Sequence, residues 1–201
     1  ILMSANGVKE NGTGYQSTKY RAEEYLKNSG LDYTIFQPSL IFGDSSDKIE
    51  FCKQLKNDML SLPLPAPLFH EGLNPFGAGN FQMSMIHIED VASIFVKSLE
   101  DKKFIEKIIE LGGENITWRN IIKTISKAAG KNKFTVPAPV FAVQAVASLF
   151  ERFSWFPVTK DQLTMLVHGN TCDSQKIFSD NKITPIAFNE ENLSYMKENK
   201  G

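Results

Sequence analysis

The run ILMSANGVKENGTGYQSTKYRAEEYLKNSGLDYTIFQPSLIFG, residues 1–43, decides the fold. Residues 1–8 read as an apolar strand, 9–14 as a polar loop, 15–29 as a helix and 32–43 as a second apolar strand. Gly14 stands just before the helix, and Gly30 occupies the place of a C-terminal cap. On the helix, Tyr15, Thr18, Lys19, Ala22, Tyr25, Leu26 and Ser29 recur at three- and four-residue spacing, which predicts one shared face against protein. Arg21, Glu24 and Asn28 point elsewhere, and Glu23 with Lys27 is expected as a surface pair.

A lysine on a protein-facing stripe is costly without a partner or a task. Tyr15 lies one turn from Lys19 on the expected face. An ammonium close to a phenol favours the phenolate and is expected to lower a pKa that is ordinarily about 10. Such a phenol exchanges a proton with a hydroxyl or carbonyl near neutral pH. Ser4, at the end of the first strand, is placed to hydrogen-bond the same oxygen. The alternative is a tyrosine anchored at the surface beside a lysine whose stem alone is buried. A bare Y-x-x-x-K favours that second reading, and only the surrounding motifs shift the balance.

Those motifs follow in order: Ser4 at a strand end, Tyr15-x-x-x-Lys19 on a helix, Ser29-Gly30-Leu31, then a strand closing on Pro38-Ser39-Leu40-Ile41-Phe42-Gly43. Further on come Ile86-His87-Ile88-Glu89-Asp90-Val91-Ala92 and Glu110-Leu111-Gly112-Gly113. Together they resemble the second half of an extended or atypical short-chain dehydrogenase/reductase. The resemblance implies an α/β fold, the C-terminal part of a Rossmann-type doubly wound parallel sheet with a smaller helix-rich substrate lobe. It implies residues 1–43 and 81–100 as the remainder of a dinucleotide-binding domain, with 44–80 and 101–201 on the substrate side. By the same resemblance Tyr15 is the acid/base, Lys19 holds the nicotinamide ribose, Ser4 orients the substrate oxygen, and Pro38, Ser39 and Leu40 border the nicotinamide. The implied cofactor is NAD or NADP.

No G-x-G-x-x-G or related phosphate loop occurs, and Gly72, Gly77 and Gly79 lie in a Pro- and Asn-rich loop with no helix after it. The chain is therefore expected to be the C-terminal part of a longer protein, accompanied by its N-terminal half or another chain. Residues 1–201 alone are expected to bind NAD(P) weakly.

At 201 residues, with 42% apolar and 22% charged residues and a net charge of −1, the composition is that of a soluble globular protein. The lack of a basic run argues against nucleic acid, and no apolar run has the length of a membrane span. Cys52 and Cys172 fit no metal spacing; two thiols in a reducing cytosol are expected, with a disulfide left open.

Along the remaining chain, Asp47 is expected to cap a helix over 48–60 with Ile49, Cys52, Leu55 and Met59 on its apolar face. Prolines 63, 65 and 67 demand an extended segment within a long loop over 61–79. His70 and Glu71 there read as solvated loop residues. A strand over 81–88 leads to a helix over 91–99, buried through Val91, Ile94, Phe95, Ser98 and Leu99. Asp90 is expected as its cap and His87 as an architectural residue outside the active site. A strand over 104–111 precedes a Thr117-capped helix over 118–129, and a short strand is expected over 133–136. The run over 140–153 is apolar nearly all round and predicts a covered helix. A Thr159/Gln162 capping box and an Asn189-capped terminal helix complete the chain.

Two functions fit. The first is an NAD(P)-dependent oxidoreductase or epimerase acting on a hydroxyl or carbonyl of a nucleotide sugar or other small metabolite. The second is a non-catalytic NAD(P)-binding module, because residues 136–163 resemble the dehydrogenase-like accessory subunit of respiratory complex I and its bacterial relatives. Gln37 stands where the resembling family usually has Arg, which bears on either reading. The implied setting is cytoplasmic or peripheral to a membrane complex. A transcriptional sensor on the same fold is disfavoured by the lack of basic character.

Overall fold

The computed structural model describes residues 1–45, 50–150 and 160–197. They divide into two compact units, the first made of Ile1–Gly43, Ser84–Asn115 and Asn170–Phe188, the second of Asp44–Met83, Ile116–Gly169 and Asn189–Gly201. The division differs from the one drawn on sequence: residues 101–115 and 170–188 fall in the first unit and residues 81–83 in the second. The expectations for Asp47, Ile49, Thr159 and the apolar run past residue 150 fall outside the described residues.

The first unit is a parallel α/β layer. Strands β1 (Leu2–Met3), β2 (Thr34–Pro38) and β6 (Lys107–Leu111) pair in that order, all parallel. Parallel neighbours need a crossover, and helix α1 (Gly14–Lys27) supplies it between β1 and β2. The expected long second strand is in fact two, because β3 (Leu40–Phe42) leaves the β2 ladder and pairs in parallel with β5 (Gln82–His87). Ser39 is the point of departure, its amide still bonded to the Leu111 carbonyl at 2.8 Å.

Helix α1 starts where its sequence dictates. Thr13 and Gln16 form a reciprocal capping box, so two otherwise orphaned N–H groups are satisfied. Its buried face is rotated from the expected one: Tyr15, Thr18, Tyr25 and Ser29 are exposed, and Glu23 is the one buried residue of the helix. Lys19, Ala22 and Leu26 are half-buried beside it. The expected Glu23–Lys27 surface pair is replaced by Lys27 with Glu24 at 2.8 Å. The physical reason lies in another element, since Glu23 accepts a hydrogen bond from Gln37 Nε2 of β2 at 2.8 Å. A buried carboxylate is tolerated only with such a donor.

Helix α3 (Ile88–Glu100) turns Val91 and Ile94 into a core with Phe36, Ile86, Phe104, Leu111 and Phe178. His87, not Asp90, caps it, accepting from the Glu89 amide through Nδ1 at 3.3 Å. Asp90 is buried and accepts from the Ile186 amide at 2.9 Å, while burial holds its pKa above the ordinary value. Leu99, expected inside, is exposed. Strand β6 begins at Lys107, after a 3₁₀ turn over Lys102–Phe104, because Glu106 takes a positive φ of 55°.

In the second unit the Pro-rich segment forms strand β4 (Ala66–His70), parallel to β8 (Thr135–Pro139). Helix α4 (Trp118–Ala128), capped by Thr117 as expected, buries Ile121, Ile122 and Ile125. Trp118 is fully buried, stacked between Phe69 and Phe81 with centroids 5.9 and 5.8 Å away, and its indole N–H donates to Pro67 O at 2.9 Å. Such a stack contributes on the order of 1 kcal/mol per ring pair beyond its buried area. Helix α2 (Phe51–Leu55) continues into a π turn over Lys56–Leu60, and Glu50 caps it through the amides of Cys52 and Lys53. Strand β7 (Glu114–Thr117) leads into α4. Helices α5 (Val140–Phe150), α6 (Lys160–Val167) and α7 (Gln175–Asp180) follow, and a 3₁₀ turn over Ser194–Met196 stands where a terminal helix was expected. The two cysteines are free, and burial pushes both thiols above their ordinary pKa.

Gly113 is a test of this packing, because a Cβ there would run into the Met85 carbonyl oxygen, a backbone atom with no freedom to retreat. Gly113→Ala is expected to lower stability by about 1–3 kcal/mol in urea denaturation, as overpacking does. An unchanged midpoint would show that β5 approaches this turn less closely.

Candidate active site

The site is built at the carboxyl end of β1 and β2, where open α/β sheets place their ligands. The ladder runs on past the strands: Ser4 N donates to Phe36 O at 2.7 Å, and Asn6 N donates to Pro38 O at 2.9 Å. Ser4 and Ser39 are thereby fixed on neighbouring strand ends. Ser4 is 4% exposed, and its hydroxyl has no hydrogen-bond partner among the described residues.

Lys19 ties the helix to this edge. Its Nζ donates to the Met3 carbonyl at 3.1 Å and lies 5.9 Å from the centroid of the Tyr15 ring. Lysine, tyrosine and the Ser4 strand end are thus linked through one ammonium group. Tyr15 itself is half exposed, with no partner for its hydroxyl among the described residues.

The phenol does not have the lowered pKa expected from its lysine. Burial pushes Tyr15 above its ordinary value of 10.0, and no opposing cause outweighs it. The ammonium lies over the ring and is committed to Met3, not hydrogen-bonded to the phenol oxygen. The Tyr15 phenol therefore keeps its proton at neutral pH in the ligand-free protein.

The Pro38-Ser39-Leu40 segment is fixed from both sides. Ser39 Oγ donates to Asn170 O at 2.8 Å, and Ser84 N donates to the same carbonyl at 2.8 Å. Asn6 Nδ2 donates to Thr171 O at 3.3 Å. The hold of the Asn170 backbone on this segment is a contact that sequence reading missed. Asn170 lies far along the chain, in a segment with no motif. Gln37, read from sequence as a change in ligand contacts, uses its amide on Glu23.

Comparison with known proteins agrees with this architecture. The chain belongs to the NmrA-like family, whose model matches residues 5–166. Among solved structures it is similar to a UDP-glucuronic acid 4-epimerase from Bacillus cereus, crystallised with UDP-glucuronic acid and NAD. The two are 20% identical with a TM-score of 0.59, over 96% of this chain and 58% of the other. A UDP-glucose 4-epimerase from Thermotoga maritima, with UDP-glucose, is 18% identical with a TM-score of 0.59, over 97% and 61%. A nucleoside-diphosphate-sugar epimerase from Staphylococcus aureus is 15% identical with a TM-score of 0.61, over 98% and 64%. This chain spans about three fifths of the length of these structures. At such identity they establish the Rossmann-type fold, and no curated protein sequence matches. Among the described residues no helix is long and apolar enough to cross a membrane.

The Tyr15 assignment is open to direct titration. Burial penalises the phenolate, so the group withdraws stability only as pH rises past its ordinary value. Ultraviolet difference titration against Tyr15→Phe is expected to give a midpoint above 10.0 in the ligand-free protein. A midpoint below that value would mean that Lys19 acts on the hydroxyl as the sequence suggested.

Proposed function

We propose that this chain forms the nicotinamide side of an NAD(P)-dependent oxidoreductase or epimerase, acting on a hydroxyl or carbonyl of a nucleotide sugar or other small metabolite. The observation that carries the reading is the Lys19 ammonium, held by Met3 O over the Tyr15 ring, one residue along the strand from Ser4, whose buried hydroxyl has no partner among the described residues.

The residues fit the nicotinamide end of the cofactor. Lys19 and Tyr15 would hold the ribose, with Pro38, Ser39 and Leu40 bordering the ring. The bound cofactor supplies hydride transfer. Tyr15 holds its proton on the phenol oxygen and delivers it to a substrate oxygen. Ser4 donates a hydrogen bond to that oxygen and fixes its position. As the proton leaves, the nearby Lys19 charge stabilises the phenolate.

The pyrophosphate end has no counterpart here, since no Gly-rich turn lies at a helix start. Among the described residues strand β1 pairs only with β2, and its other edge carries no strand. We place the missing turn on chain that pairs with this edge, supplied by the same polypeptide or a partner. Residues 1–201 by themselves are then expected to bind NAD(P) weakly. A cytoplasmic setting, or one peripheral to a membrane complex, accords with this reading.

A second reading, a nucleotide-binding module without turnover in the manner of the complex I accessory subunit, is favoured by one observation. Gln37 stands where the resembling family has Arg, and its amide serves Glu23. No guanidinium is left at that place for a substrate.

The two readings part on Tyr15→Phe in the full-length protein. The enzyme reading expects oxidation of NAD(P)H by a carbonyl substrate to fall by at least about a hundredfold, as when a general acid is removed. Nucleotide affinity should change little, because the hydroxyl acts in the transition state and not in uniform binding. Undiminished turnover in the variant would remove Tyr15 from the chemistry.

A further inference from the structure

Two buried side-chain polar atoms lack a partner among the described residues, the Ser4 hydroxyl and the Asn170 carboxamide oxygen. A sealed acceptor without a donor is uncommon, and a native protein that keeps one keeps it for a reason. Ser4 already belongs to the reading above. Asn170 belongs to nothing assigned so far.

Asn170 is held in place without use of its side-chain oxygen. Its backbone carbonyl accepts from Ser39 Oγ and from Ser84 N, both at 2.8 Å. The next carbonyl, Thr171 O, accepts from Asn6 Nδ2 at 3.3 Å. Asn6 is two residues past Ser4, and its own amide donates to Pro38 O at 2.9 Å, just before Ser39. The strand ends carrying Ser4 and Ser39, and Ser84 inside β5, are thus tied to one short backbone segment. The tie uses no side-chain atom of Asn170, whose backbone it holds against Ser39. Polar groups held in place by supporting hydrogen bonds are what a binding site requires.

We propose that Asn170 is a ligand-binding residue of the same site, accepting through Oδ1 a hydrogen bond from an uncharged O–H or N–H group of the bound ligand. The inference rests on the nucleotide-binding reading above and deepens it. An acceptor oxygen suits a neutral donor and not a phosphate or carboxylate. Two sources offer that chemistry: a hydroxyl of a sugar-like substrate, or the carboxamide of the nicotinamide.

The test uses the full-length protein with Asn170→Leu, similar in size but unable to accept, and Asn170→Asp, which keeps the acceptor. Thermal unfolding without ligand is measured first. Asn170→Leu is expected to hold or raise the midpoint, because it removes a buried group that has no partner. A drop of several degrees would make the side chain structural and overturn the proposal. Binding of NADH, ADP-ribose and UDP-glucose is then measured by calorimetry, UDP-glucose in the presence of NADH. A loss of tenfold or more for NADH, with ADP-ribose unchanged, assigns the donor to the nicotinamide carboxamide. A comparable loss for UDP-glucose alone assigns it to a substrate hydroxyl. In either case Asn170→Asp should bind within a few-fold of the unaltered protein. If the unaltered protein binds NADH but Asn170→Leu changes neither ligand, this proposal falls and the nucleotide-binding reading stands. If the unaltered protein does not bind NADH, both fall.

Discussion

The parallel pairing of β1 with β2 is the constraint on which the rest depends. Its register, Leu2 with Ile35 and Met3 with Phe36, sets Ser4 beyond the last pair and beside the end of β2. A slip of one residue would reverse which side chains face the core, and Phe36 would leave its cluster with Ile94 and Phe104. The same register presents the Met3 carbonyl, the acceptor that holds Lys19. Helix α1 is therefore aimed by a strand end, and Tyr15 comes with it.

That arrangement is assembled largely from polar contacts between buried groups. Glu23 needs Gln37, Asp90 needs the Ile186 amide, and Gly112 N donates to Ser174 Oγ at 2.7 Å. Each would cost roughly 1–3 kcal/mol if left unpaired. Most of the buried polar inventory of the first unit is satisfied in this way. The Ser4 hydroxyl and the Asn170 carboxamide oxygen stand apart from it, without a partner among the described residues.

Much of this was legible in the residues. Strand, loop, helix and strand over 1–43 gave the β-α-β unit, and the Thr117 cap and the isoleucines of α4 were readable from spacing alone. The carboxylate of Glu23 was not, because its burial depends on Gln37 from another element, and helix periodicity cannot see a cross-element donor. Few aliphatic residues mark α1, so its tyrosines set the apparent stripe although their rings tolerate water. The break at Ser39 was hidden for a similar reason: both halves of 32–43 have strand character, and only tertiary pairing separates them. Asn170 was invisible because its placement depends on Asn6, Ser39 and Ser84, which are distant in sequence. The orientation of Lys19 over the Tyr15 ring was equally beyond reach, and with it the direction of the phenol's pKa.

The central claim is that the strand ends carrying Ser4 and Ser39, with the start of α1, form the nicotinamide site. Hydrogen exchange of the full-length protein, read by mass spectrometry with and without NADH, tests it most directly. Protection should concentrate in peptides covering residues 3–6, 13–19 and 38–40, while those covering Trp118 and its stacked phenylalanines stay unchanged. Protection confined to the β4–β8 pair, with none at these strand ends, would contradict the account.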